Sequence, residues 1–474
     1  MKAYTTYLHI GIIALAVCLS SCEKWLDVAP QTQIEADRVF EKESGFQDAL
    51  TGVYVKMTDQ KLYGRELTFG MLDGLGGQFN GLGTANEYYS TINYDYNQEN
   101  FITKSGDVFE SGYNTIANIN MLIANLDSKG PSLFSGVNYH TIRGEAYGLR
   151  AFLHFDLVRL YGSAIAANGE TALAIPYMDA VGVTPKERLT TRAILNRVIA
   201  DLEIAAEELR AYDPIVPANA VNATTYLRDR YLKFNYYAVK ALQARVYLYA
   251  GDKERALAAA KAVIESNVFE WTPSSEIATT VEGNRNRVFT QELIFSLYIN
   301  GMSTITSPFY DEGVSGALLK RSDFDYSNLF DNKDDYRFVY LTKYSDAVWA
   351  RYSTKLVQPP SSQAAFSNRM PMIRKSELYY IAAECLFETN PQEAINYLNA
   401  VRTHRNAGEL SSSLSSADVA GEIKNEYRKE LIGEGQIFYY YKRMNAEQID
   451  GVYITMTENT YVLPLPDREI SYGQ

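Results

Sequence analysis

The chain has 474 residues, 46% of them hydrophobic, and a formal net charge of −12. An aromatic content of 13% excludes a disordered chain, which lacks the apolar surface to fold. The acidic balance argues against a nucleic-acid partner, because binding phosphates needs an excess of Lys and Arg. Tyrosine stands out, with 37 residues.

The elements, taken in chain order, begin with an export signal. Lys2 is the only charged residue before Glu23, and Ile10 to Leu19 is an apolar run of signal-peptide length, about half of what spans a bilayer. It ends in Leu19-Ser20-Ser21-Cys22, which resembles the bacterial lipobox: an aliphatic residue, two small ones, then the cysteine. Residues 1–21 are therefore expected to be a lipoprotein signal peptide, with Cys22 as the lipidation site. A plain secretory signal with an incidental cysteine is the alternative. Loss of Lys2 would take the net charge from −12 to −13. Cys18 would leave with the signal and Cys22 would carry lipid, so Cys385 has no disulfide partner. It sits in a helical pattern and reads as a small buried hydrophobe.

Apolar residues three or four apart predict helices over Ile142–Tyr161 and Thr191–Leu209. A pair follows, with Leu232 to Tyr249 on one helix and Ala256 to Ile264 on the next. Between them lies Gly251-Asp252, a terminating glycine followed by an N-cap aspartate. The pattern returns at Glu377–Phe387 and Gln392–His404, with Pro391 in the first turn of the second helix. A last helix spans Asp418 to Met444, with a break expected at Gly433 or Gly435. One hairpin buries only one face, so such units must stack. The chain thus reads as mostly α, a tetratricopeptide-like helical repeat scaffold over about 139–267 and 375–446. Residues 61–112, rich in Gly, Asn and Tyr, and the mixed stretch 268–374 do not fit this scaffold. In the mixed stretch only Gln291–Asn300 reads as a strand. Long irregular spans in a compact protein are more often functional than idle.

Several segments together resemble one family: the lipobox followed by EKWLDVAPQTQI, the helix GEAYGLRAFLHFDLVRLYG, and the hairpin ALQARVYLYAGDKERALAAAKAVI. RKSELYYIAAECLF, AINYLNAVRTHRN, EIKNEYRKELIGEGQIFYYYKRM and the ending YVLPLPDREI add to it. In order and spacing the chain is similar, from Cys22 to its end (22–474), to the SusD/RagB-like outer-membrane nutrient-binding lipoproteins of Bacteroidetes. The resemblance implies a SusD-like domain whose variable, loop-rich part binds ligand. It also implies a lipid anchor in the outer membrane facing the cell exterior, and a SusC-like TonB-dependent transporter as partner, to which a captured glycan is delivered. One departure stands out: family members usually carry an aromatic-Glu-Gly-His-Arg run in the late helix, where this chain has Gly433-Glu434-Gly435-Gln436-Ile437. That weakens the resemblance to the best-characterised starch-binding branch and leaves the scaffold reading intact.

The residue types favour a binder over an enzyme. No HExxH, Cys/His cluster, GxSxG elbow or phosphate loop occurs, so neither a metal site, a catalytic set nor a cofactor is expected. His154 reads as a structural histidine inside the strongest helix. Asp323, Asp325, Asp331, Asp334 and Asp335 cluster in sequence. A solvated acidic loop explains them, with a cation site or the carboxylate pair of a glycoside hydrolase as alternatives. Sugar rings present apolar faces rimmed by hydroxyls, so their sites combine flat aromatics with Asn, Asp, Gln or Arg. In the first irregular region the expected ligand-binding residues are Asp73, Asn80, Tyr88, Tyr89, Tyr94, Tyr96 and Asn97. In the other they are Trp271, Arg285, Asn286, Tyr310, Tyr326 and Trp349. Replacing Trp271 or Tyr94 by Ala is expected to weaken binding without lowering the melting temperature. A peptide-binding protein on the same scaffold is the main alternative, and a plain interaction scaffold another.

Overall fold

A computed structural model describes residues 38–472, apart from 183, 314–316, 360–363 and 365. The signal peptide and Cys22 lie outside the described residues. The chain divides into two units at Phe46 and Gln47. The first contains a Phe40–Phe46 ring contact at 4.7 Å; the other holds the helical scaffold and the excursions from it.

The fold is 54% helical with few strands, so the helical-scaffold expectation holds. Its main helices are α1 (Glu99–Lys129), α2 (Asn138–Tyr161), α3 (Thr191–Tyr212), α4 (Tyr236–Tyr249) and α5 (Lys253–Ile264). After an excursion come α8 (Lys375–Leu386), α9 (Pro391–His404), α10 (Ser416–Glu430) and α11 (Ile437–Arg443). Each packs on its chain neighbour in turn from α1 to α5, and α5 then packs on α8. The result is one continuous stack, and the junctions are those the sequence chemistry favours. Gly251 takes φ +83°, and the Asp252 side chain accepts the Arg255 N–H at 2.9 Å. Asn390 caps α9, with Pro391 as its first residue. The last predicted helix breaks between α10 and α11, where Gly433 and Gly435 have φ of +83° and +66°.

Two expectations need correction. The irregular first region ends earlier than 112, because Glu99 already opens a helix of 31 residues. Its inward residues Phe101, Ser105, Val108, Phe109 and Gly112 repeat at helical spacing. And α2 is buried around nearly its whole circumference rather than on one face. It is the central element, which requires its polar residues to be paired. Arg150 holds Asp201 with two bonds of 2.7 Å, and Glu145 meets Arg230 at 2.5 Å. His154 donates from Nδ1 to the Arg150 carbonyl at 2.9 Å, while its Nε2 accepts the Met178 N–H at 3.0 Å. Burial lowers its pKa to about 3, so it stays neutral and structural. Gly148 lets the Phe234 ring approach, since a Cβ there would stand 2.4 Å from it.

The excursion between α5 and α8 is closed by a strand pair. β3 (Leu293–Tyr298) runs antiparallel to β7 (Arg369–Arg374), from Leu293↔Arg374 to Tyr298↔Arg369. β3 is buried except at Tyr298, and Phe295 packs against Phe234 and Phe152. Residues 299–368 therefore leave and return at one place, gripped by the core. They contain α6 (Met302–Tyr310), α7 (Asp323–Leu329) and a small antiparallel sheet of order β4 (Lys320–Arg321), β6 (Ala350–Ser353), β5 (Thr342–Ser345). A separate ribbon pairs β1 (Leu173–Pro176) with β2 (Arg188–Thr190).

The base of the excursion is fixed by buried ion pairs. Glu430 receives Arg405 at 2.7 Å, Arg337 at 3.0 Å and Arg374 at 3.2 Å. Glu426 joins Arg402 at 2.7 Å and Arg337 at 2.9 Å, and Arg405 also meets Glu292. Buried charges are tolerated only in such compensated sets.

Candidate functional site

The antiparallel strands β5 and β6 register Ser345 opposite Ala350, leaving Asp346-Ala347-Val348-Trp349 as the connecting turn. Trp349 adopts φ +51°, a left-handed backbone that costs a bulky residue on the order of 1–3 kcal/mol. Its side chain is 79% exposed. A strained turn that holds an indole in solvent does nothing for packing, so it points to a surface function. The hairpin is anchored from below. Arg351 donates to Asp323 at 2.7 Å and to Thr342 Oγ1 at 2.9 Å, and lies 4.5 Å from the Phe338 ring centre.

Two clefts open in this excursion. The smaller, about 100 Å³, lies between the hairpin tip (Ala347, Val348), the loop Leu82–Gly83–Asn86, and Glu312, Leu318 and Lys320. The loop is tied in place by Asn80, whose N–H donates to the Lys320 carbonyl at 2.9 Å and whose side chain donates to the Gly451 carbonyl at 3.3 Å. Tyr89, 39% exposed, follows this loop. The larger cleft, about 620 Å³, is lined by Tyr298, Asn300, Ser303, Ser307, Tyr310, Asp311, Gln358 and Asn368 among others. Asp311 borders one cleft and Glu312 the other, so a single peptide bond joins the two walls. Aromatic faces set among amides, hydroxyls and carboxylates suit a hydroxyl-rich ligand.

The predicted ligand residues divide sharply. Trp349 and Tyr89 are exposed, Asn80 braces the small cleft, and Tyr310 lines the large one. Asn97 is also exposed, but borders neither cleft. The others make contacts within the fold, buried for Asp73, Tyr88, Tyr94, Asn286 and Tyr326 and half-buried for Tyr96, Trp271 and Arg285. Tyr88 is buried and donates to Glu66 at 3.2 Å, and Tyr94 is buried and donates to the Leu75 carbonyl. Tyr96 stacks on Phe101 at 4.4 Å and donates to the Thr460 carbonyl at 2.5 Å. Trp271 stacks on His404 at 4.4 Å, with the Lys375 ammonium 4.4 Å from its ring. Arg285 lies over Tyr340 at 4.9 Å, Asn286 is bonded to Glu276, Thr290 and Gln291, and Tyr326 packs with Leu329, Phe330 and Ile432. Asp73 is buried too, accepting the Gly433 N–H at 2.6 Å and the Gly435 N–H at 3.0 Å. Burial pushes its carboxyl up to about 7, against those two donors, which favour the ionised form.

Sequence reasoning missed Tyr298, 48% exposed, and Phe324, 74% exposed. Tyr298 lies inside the predicted strand Gln291–Asn300 and ends the observed one, shortly before the chain turns into α6. Carboxylates of the acidic cluster are held in ion pairs. Asp331 joins Arg402 and Lys429, Asp335 joins Arg337, and Asp323 joins Arg351. Those two cations hold the Asp331 carboxyl well below the usual range, though its burial works against them. Among the described residues no group of three or more His, Cys, Asp or Glu could hold a metal ion. Cys385 is buried, which pushes its thiol up to about 12.

Comparison with known proteins adds to this geometry. A model of the SusD family matches residues 323–462. Another, described as starch-binding and associating with the outer membrane, matches residues 24–248. SusD-like protein P2 of Formosa agariphila is 23% identical over 532 aligned positions, covering 99% of this chain and 97% of the relative. A SusD superfamily protein of Bacteroides vulgatus superposes with TM-score 0.74 at 18% identity, covering 91% of this chain and 97% of its own. A laminarin-binding SusD-like protein superposes with TM-score 0.68 at 18% identity, covering 91% and 98%.

Proposed function

Because the chain belongs to the SusD/RagB-like family, we propose that it captures glycan at the Trp349 corner for uptake into the cell. The observation that carries this is the exposed indole of Trp349, held in a strained turn whose Ala347 and Val348 line the smaller cleft with the polar groups of Asn86, Glu312 and Lys320. A sugar ring lays its C–H face on the indole, and its rim hydroxyls bond to those polar groups. The family's starch-binding description and the laminarin-binding neighbour support a carbohydrate ligand. The protein acts as a binder without catalysis. In the acidic cluster, Asp331, Asp335 and Asp323 are each committed to separate cations, which leaves them unsuited to work as a hydrolase pair.

The family description likewise supports outer-membrane association. In this reading Cys22 carries the lipid that tethers the protein, the binding corner faces the exterior, and a SusC-like TonB-dependent transporter receives the glycan. Calorimetry against a polysaccharide panel, with a peptide library as a second arm, tests the binding. Heat from a glycan and none from peptides is expected; binding of peptides alone would reverse the reading. Co-purification with a TonB-dependent transporter from the native membrane, lost on Cys22→Ala, tests the assembly.

A further inference from the structure

The larger cleft has one marked property: no positively charged side chain is among its described lining residues. Among them the one charged residue is Asp311. Asp311 is exposed and follows the last residue of α6, where a carboxylate adds to the negative end of the helix. Its Oδ1 accepts the Gly313 N–H at 3.0 Å, which fixes the carboxylate in the turn at the cleft rim. At the opposite end of α6, the Met302 N–H donates to Asn368 Oδ1 at 3.2 Å, so that group is satisfied from within the cleft wall. The neighbouring guanidinium, Arg369, stands 5.6 Å from the Tyr298 ring centre and 5.2 Å from that of Tyr231, and does not line the cleft. The remaining polar lining is amide and hydroxyl, from Asn300, Ser303, Ser307, Gln358 and Asn368. Such groups both donate to and accept from uncharged hydroxyls. A carboxylate or sulfate ester seated there would lose water beside Asp311 and gain no cation in return. The acidic protein as a whole, with net charge −12, also repels polyanions at a distance.

We infer that this cleft selects uncharged polysaccharide and rejects uronate-rich and sulfated glycans. The inference rests on the glycan-binding reading above and specifies its substrate class. A direct test uses matched pairs: laminarin, amylose, mannan and xylan, each beside its own sulfated derivative, in calorimetry at low salt. The neutral member is expected to bind at least about tenfold more tightly than its sulfated partner, a like-charge contact costing that much or more. Asp311→Lys and Asn300→Lys, each checked for an unchanged melting temperature, are both expected to narrow that ratio by about tenfold. Equal or tighter binding of the sulfated member by the unaltered protein would overturn the charge selection and leave glycan binding standing. Failure of every polysaccharide, neutral and sulfated, would instead overturn the glycan reading itself.

Discussion

Removing the Trp349 indole separates a binding residue from a packing one. Its side chain is 79% exposed, so Trp349→Ala leaves no cavity and is expected to change stability by less than about 0.5 kcal/mol. The binding loss follows from area. A tryptophan can bury roughly 150–250 Å², of which one ring face against a sugar is about 80 Å². At roughly 25 cal/mol per Å² that face is worth about 2 kcal/mol, or about thirtyfold in Kd. Trp271→Ala is the matched control. Its ring is stacked on His404 and faced by the Lys375 ammonium, so it is expected to cost about 2–3 kcal/mol of stability with little effect on affinity. Differential scanning calorimetry and titration calorimetry on the same two variants read both quantities. A twofold or smaller change in Kd for Trp349→Ala, or a loss of melting temperature equal to that of Trp271→Ala, would refute the assignment.

Three further outcomes are expected. Glu430→Gln leaves Arg337, Arg374 and Arg405 short of their shared carboxylate and should cost about 3–5 kcal/mol in chemical denaturation; a cost under about 1 kcal/mol would show the pairs to be idle. Asp73 has a folded-state pKa raised to about 7 from 3.8, so the native state holds its proton longer than the unfolded chain. Its contribution to stability therefore falls as pH rises from about 4 to about 7 and is flat above that. Asp73→Asn should flatten the stability profile in that window, and parallel profiles would contradict the shift. Cys385, with its thiol pushed up to about 12, should resist alkylation at pH 8 until the protein is unfolded, as peptide mapping would read; rapid labelling of the native form would place it at the surface.

Helical periodicity and junction chemistry made the scaffold legible. Gly251-Asp252, Asn390-Pro391 and the two late glycines each mark an observed boundary. The start of α1 was hidden because Glu99 to Gly112 is polar and carries two glycines, although Phe101, Ser105, Val108 and Gly112 keep a helical repeat. The site was harder. Interleaving Tyr with Asn and Asp indicates which chemistry is available, not which way each ring points. Tyr88 and Tyr94 turned inward and used their hydroxyls on Glu66 and Leu75, whereas Trp349 turned outward. A polar helix was equally deceptive. Its Glu426, Arg428, Lys429 and Glu430 are charged, yet all four are buried. Their partners come from segments no local pattern connects.

That last arrangement has a consequence for how the chain is made. The partners of Glu430 lie 25, 56 and 93 residues before it, so the seam cannot close until α10 has been synthesised. The hairpin of α4 and α5 is local and can form early, while the guanidiniums of Arg337, Arg374 and Arg405 wait for their carboxylate. Fragments that stop before residue 416 should therefore keep helices yet leave the Trp349 excursion undocked, and a truncated protein would be trimmed by proteases within 299–368 first. The excursion that carries Trp349 is thus completed last, and only in a chain whose distal end has arrived.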